Sequence, residues 1–251
     1  MSHLAPAFER STGHRLQAHF DTVGAQRDRV LAAPAGAVAD VVILSDAAIA
    51  ALGKASKLAP RPSVSVGQVV VALAVPRSVG SSAAGDAPSA AAERPTPPLR
   101  DEEDLRRLLR AYADPARGAT AGTHFAKVID LLGMREELAP RLTVLPFGVE
   151  VITAVAQGRF DLGVSQSSEI MPHPGVRFVG GLPAPYVLAT GYSAALVSDT
   201  PSARALLEFL GSEQAREAWR DSGFSALEAP APSVPTQKPG SLPGTPAAWR
   251  P

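Results

Sequence analysis

The sequence predicts an α/β protein built around a mostly parallel sheet with helices on its faces. Three observations carry this. Apolar runs and helical patterns alternate along the chain. Two of the runs, "ADVVILSD" and "GQVVVALAVP", are continuously apolar, as in strands buried on both faces. Phe125, Val128, Ile129 and Leu132 recur at i, i+3, i+4 and i+7, which makes one face of a helix.

The elements follow in order. "HLAPAFERSTGHR" reads as the end of a helix closing near Gly13, and "LQAHF" alternates like a short strand. "TVGAQRDRVLAAP" is a loop and a helix stopped by Pro34, and "AAIAALGKA" is a short helix closed by Gly53. "SVGSSAAGDAPSAAAERPTPP" is rich in Ala, Ser and Pro without periodicity, so 78–100 is expected to be a flexible loop. "LRDEEDLRRLLRAY" predicts a helix with Leu105, Leu108, Leu109 and Tyr112 on one face. "RLTVLPF", "FDLGVSQ" and "VRFVGGLP" read as strands, "GVEVITAVAQG" as a helix, and "YVLATGYSAALVS" as a long extended segment. Two helices broken at Gly211 follow, and residues 228–251 form a Pro-rich tail expected to be disordered.

Between Asp114 and Gly133 lies "DPARGATAGTHFAKVIDLLG". Its helix is predicted to close at a left-handed Gly133 and to be capped by Thr120 or Thr123. Small residues crowd its start. They would let an anion approach the free N–H groups and positive dipole end, or they would pack a tight turn under a neighbouring strand. A Walker-type phosphate loop is excluded, because no Lys-Ser/Thr pair follows the glycines.

Composition narrows the function. The chain has 251 residues, 24 basic and 24 acidic, and shows no basic patch, which argues against nucleic acid as the partner. Its lack of cysteine rules out thiolate metal sites, disulfides and cysteine nucleophiles. His3, His14, His19, His124 and His173 show no metal-ligand spacing, and no serine-nucleophile motif occurs, so no metal and no cofactor is expected. No apolar run is long enough to span a membrane. Nor does the first stretch have the form of a signal peptide, which implies a cytoplasmic location if Met1 is the true start.

Several segments taken in order resemble the periplasmic solute-binding proteins of ABC importers, particularly the molybdate-binding-like group. They are "FERSTGHRLQAHFDTVG", "ADVVILSDAAIAAL", "VVVALAV", "DPARGATAGTHFAKVIDLLG", "VITAVAQGRFDLGVSQSSEI", "GVRFVGGLP" and "ARALLEFLGSEQAREAWRDSGF". The resemblance implies a type II periplasmic-binding-protein fold with a ligand cleft between two lobes. Residues 1–74 with 193–227 would form lobe one, and 75–192 lobe two. It also implies an extracytoplasmic monomer that hands a small anion, a molybdate-like oxyanion or a small carboxylate, to an ABC permease.

By position, the resemblance points to Thr22, Val23 and Gly24 before one helix, Ala121 and Gly122 at the next start, Gly148 and Val149 at a third, and Gln166 after a strand. Gln166 stands where the molybdate binders place a tyrosine. Placing charge and bulk at one helix start, as in Gly122→Asp, is expected to abolish anion binding.

Two departures from the family pattern stand out. The chain begins inside the family's first helix, lacking its first strand, and few residues precede Asp114 where the family has a longer strand. Some members of the group isomerise small tricarboxylic acids, as aconitate isomerase does. Such an enzyme needs one positioned base, and Glu169 and His124 are the suspects. The alternative for Glu169 is a helix cap or an arginine partner, and for His124 a solvent-facing side chain. A cytoplasmic ligand sensor is a third reading.

Overall fold

The computed structural model describes residues 4–34, 37–77, 109–182 and 184–225. The loop expected at 78–100, the helix expected through Leu105 and Leu108, and the tail at 228–251 lie outside these residues. The chain runs α1 (Leu4–Thr12), α2 (Val23–Ala32), β1 (Val41–Ser45), α3 (Asp46–Lys54), β2 (Val64–Pro76) and β3 (Ala111–Ala113). A 3-10 turn (Pro115–Arg117) leads to α4 (Thr120–Leu131), α5 (Arg135–Leu138), β4 (Thr143–Leu145), α6 (Gly148–Ala156), β5 (Gly163–Gln166) and α7 (Ser167–Ile170). Then come β6 (Val176–Gly181), β7 (Ala189–Leu196), α8 (Pro201–Leu210) and α9 (Glu213–Asp221).

β2 organises both lobes. Its first half, Val64 to Val70, pairs with β7, which in turn pairs with β1. Its second half, from Val71 on, pairs with β5 on one side and β6 on the other. The change of partner falls between Val70 and Val71. The Val71 N–H donates to the Leu188 carbonyl at 3.0 Å, while the Val70 N–H is taken by the Ser167 hydroxyl at 3.2 Å. A thirteen-residue strand can therefore serve two sheets without a break.

Pairing is mixed. β3 runs parallel to β4 and β5, and the pairs made by β2 and by β1 with β7 are antiparallel. Parallel neighbours need crossover helices, and α4 and α6 supply them in lobe two. In lobe one the long returning strand β7 enters between β1 and β2 and reverses the pairing.

The cores match the apolar patterns. β1 does bury both faces: Val42 and Leu44 pack with Ile49 and Leu52 of α3 and Val30 of α2, while Val41 and Ile43 turn toward Phe8, Leu207 and Trp219. In lobe two, Phe125, Val128 and Ile129 of α4 pack onto Val71, Leu73 and Val164, with Leu132 partly buried beside them. Removing the fully buried Phe125 side chain would cost about 3–5 kcal/mol.

Gly13, Gly133 and Gly158 take left-handed conformations just after α1, α4 and α6, and Gly211 separates α8 from α9. α3 continues through Gly53 to Lys54.

Two further expectations are corrected. Residues 16–20 form no strand, and Phe20 is 77% exposed. Alternation alone makes no strand; a ladder partner is required, and none is found among the described residues. Tyr112 belongs to strand β3, not to a helical face, because Ala111–Ala113 is gripped between β4 and β5.

Candidate functional site

Three helix starts were singled out by the sequence, and they differ in what surrounds them. α2 is capped conventionally. The Thr22 hydroxyl accepts from the Ala25 N–H at 3.2 Å, and the Thr22 N–H donates to Asp21 Oδ1 at 2.8 Å. A carboxylate of the chain thus already faces this start. Val23 leans on the core under β1, and Gly24 has open space where a Cβ would stand.

α4 begins at Ala119 with no side-chain cap, so neither Thr120 nor Thr123 caps it. The Thr123 hydroxyl instead donates back to the Pro115 carbonyl at 3.4 Å. Ala121 is buried in the lobe-two core. A Cβ on Gly122 would overlap the carbonyl of Ala113 in β3. The small residues here let a helix lie directly on a strand.

α6 begins at Phe147, also without a side-chain cap. Here a Cβ on Gly148 would overlap Glu169 Oε2 and Ser165 Oγ. The crowding comes from polar side chains rather than backbone. Val149, next along, is exposed.

Gln166 stands at the junction of β5 and α7 and joins these pieces. Its side chain accepts from the Glu169 N–H while the Glu169 carboxylate accepts from the Gln166 N–H at 3.4 Å, a reciprocal capping box. The Tyr192 hydroxyl on β7 donates to Gln166 Oε1 at 3.3 Å, and the Thr120 side chain at the start of α4 lies near enough to the same phenol to lower its pKa. Both bonds to the Gln166 side chain use its oxygen, leaving the amide Nε2 outside them. Thr120, Gln166 and Tyr192 therefore meet although they come from α4, the end of β5 and the returning strand β7. The side-chain hydrogen bonds of Thr22 and its helix go to Asp21, Ala25, His19 and Asp28 and not to this group.

The electrostatics of the group are unusual. Burial pushes the Glu169 carboxyl above the ordinary glutamate value, and the bonds from Ser165 and the Gln166 backbone oppose that only in part. The Ser165 hydroxyl donates to Glu169 Oε2 in a short contact. No arginine or other cation pairs with Glu169 among the described residues, so of its alternative roles it is the cap that is realised. Burial likewise raises the Tyr192 phenol. The Gln166 bond and the nearby Thr120 side chain work against that rise, and the Glu169 charge adds to it.

The other suspect, His124, is partly buried, with Nε2 2.7 Å from the Tyr186 carbonyl. His173 accepts from the Gly175 N–H at 3.1 Å through Nδ1, and His14 stacks near Phe8. No cluster of His, Asp or Glu able to hold a metal ion occurs among the described residues. No described helix is long and apolar enough to cross a membrane.

Sequence reasoning identified Gly148, Gln166 and Glu169 but missed Tyr192 and Ser165, and it considered Thr120 only as a cap. Tyr192 had one available signal: it is the one large residue in the otherwise small-residue segment "ATGYSAA".

Known proteins give this arrangement a context. A curated relative, "Aconitate isomerase" from Pseudomonas sp, is 28% identical over 240 residues, covering 90% of this chain and 83% of that protein. The periplasmic molybdate-binding protein of Azotobacter vinelandii superposes with a TM-score of 0.66 at 17% identity, covering 90% of this chain and 94% of that one. The substrate-binding domain of a putative molybdenum ABC transporter from Clostridium difficile gives a TM-score of 0.63 at 17% identity, with 91% and 93% covered. These similarities establish the two-lobed type II binding-protein fold. The family model described as bacterial extracellular solute-binding protein matches residues 1–225, and the chain belongs to that family.

Proposed function

We propose that this protein is the extracytoplasmic solute-binding component of an ABC importer, and that it closes its lobes over one small anion, an oxyanion or a small carboxylate. The observation that carries this reading is the meeting of Thr120, Gln166 and Tyr192 beside two helix starts that lack side-chain caps. Uncapped N–H groups and neutral hydroxyl and amide donors suit an anion that must be held and then released. These donors lie on lobe two and on the returning strand β7, and a ligand bonded to them and to the facing lobe would favour the closed form. Ala121, Gly122, Gly148 and Val149 would serve through their backbone N–H groups and Gln166 through Nε2. Thr22, Val23 and Gly24 would join from the facing lobe on closure. A membrane permease would be the partner and the monomer the working state.

The test is a thermal-shift and calorimetry screen with molybdate, sulfate, citrate and aconitate. A ligand at a hundredfold excess over its Kd adds about 2.7 kcal/mol of stability. A screen in which no anion moves the melting temperature or releases heat overturns the reading.

One observation favours a second reading. Glu169 is a partly buried carboxyl with a raised pKa and no cationic partner among the described residues, and desolvation of this kind makes a carboxylate a stronger base. With the aconitate isomerase relative, this supports a proton-shifting enzyme on the same scaffold. Glu169 would take a proton from one carbon beside a carboxylate and return it to another. Aconitate that incorporates deuterium from heavy water only with the protein present selects this reading; aconitate bound without exchange selects transport.

A further inference from the structure

The anion-binding reading leaves one group unexplained, and the following rests on that reading. Glu169 places a carboxylate against the start of α6, where Gly148 has given up its side chain to make room. Its donors are neutral: the Ser165 hydroxyl and the Gln166 N–H. Among the described residues, no cation from the elements packed on α7 pairs with it. β2 and β5 have no ionisable side chain, α6 brings Glu150 and β6 brings the exposed Arg177. The loop after α7 brings His173, whose Nδ1 is taken by the Gly175 N–H. The turn after α9, which accepts from the Ser167 hydroxyl at the Gly223 carbonyl, follows Arg220 and Asp221. From β7, Tyr192 feels the Glu169 charge, but a phenol cannot neutralise it.

A second anion brought to this group would meet an uncompensated carboxylate at close range, a costly arrangement in partly buried surroundings. One proton placed between them turns repulsion into a hydrogen bond. We propose that Glu169 sets the ligand specificity of the site, which admits a small anion only with one proton shared between that anion and the Glu169 carboxyl. Two consequences follow. An anion with no O–H of its own must bind with uptake of one proton by Glu169. An anion that carries an O–H donor, such as a hydroxy acid, can offer it to the ionised carboxylate, so hydroxy acids are preferred over their deoxy analogues.

The experiment compares the wild-type protein with Glu169→Gln by isothermal titration calorimetry between pH 6.5 and 8.5, in buffers of different ionisation enthalpy. Glutamine at this position keeps the capping box that starts α7, so the variant is expected to fold. The probes are sulfate, molybdate, tricarballylate and citrate; the last two differ by one hydroxyl. In the wild type, affinity for a bound donor-free anion should fall by about tenfold per pH unit once Glu169 is ionised, with uptake of about one proton. Citrate should exceed tricarballylate at the upper pH. In Glu169→Gln the proton uptake should vanish, and the citrate preference should shrink. Parallel pH curves in the two proteins overturn the assignment of Glu169 while leaving anion binding intact. If no probe binds either protein at any pH, the anion-binding reading itself fails, and this inference fails with it.

Discussion

Gly122 and Gly148 carry the same sequence signal, a glycine in the first turn of a helix, and the structure gives them opposite meanings. At Gly122 the missing side chain lets α4 rest on the Ala113 carbonyl of β3. At Gly148 it makes room for Glu169 and Ser165, two side chains of the candidate site. One glycine serves packing and the other serves chemistry. A glycine at a helix start thus says that something approaches the backbone, and only the approaching atom says why.

Filling each space tests the two roles. Gly122→Ala is expected to have the largest effect, a loss of about 3 kcal/mol, because a backbone carbonyl within a sheet cannot move aside. Urea unfolding measures it, and a loss under 1 kcal/mol would mean that α4 can lift off β3. For the same reason Gly122→Asp reports on the fold before it reports on the anion. Gly148→Ala should cost less, about 1–2 kcal/mol, because Glu169 and Ser165 can turn away, but it should weaken anion binding at least tenfold. Unchanged binding in Gly148→Ala would make the two glycines alike.

The smallest effect belongs to Glu169 itself. Its folded-state pKa lies above its unfolded value, so the folded state holds the proton more tightly. Stability is therefore lost as pH rises from the ordinary carboxylate range through the raised value. Glu169→Gln should not show this loss, and its stability relative to wild type should grow across that window. Asp199 has the opposite sign. Arg204 and Arg61 hold its pKa down, so what it contributes is present above the ordinary value and lost as pH falls through the depressed one. Melting curves of Glu169→Gln that run parallel to wild type at every pH would show that the carboxyl near Gly148 is not desolvated.

Much of the fold was legible because it is written in local periodicity. The Phe125–Val128–Ile129 face, the continuous run of β2 and the break at Gly211 need no knowledge of distant neighbours. Failures came where structure depends on a partner. Residues 16–20 have the alternation of a strand but no ladder, and Tyr112 sits in a helical pattern yet is held between two strands. The candidate site divides the same way. Gln166 and Glu169 are neighbours in sequence, and their capping box is readable as a local motif. Tyr192 reaches Gln166 from β7, and nothing local announces that.

The shared strand has a consequence for how the chain comes into being. During synthesis β1 and the first half of β2 emerge early, yet the strand that must lie between them, β7, arrives only after all of lobe two. Val41 has to wait for Leu196. Lobe one therefore spends most of translation with its sheet open down the middle, and is completed only as the last strand slides home. The slow step of folding is expected to be this late insertion.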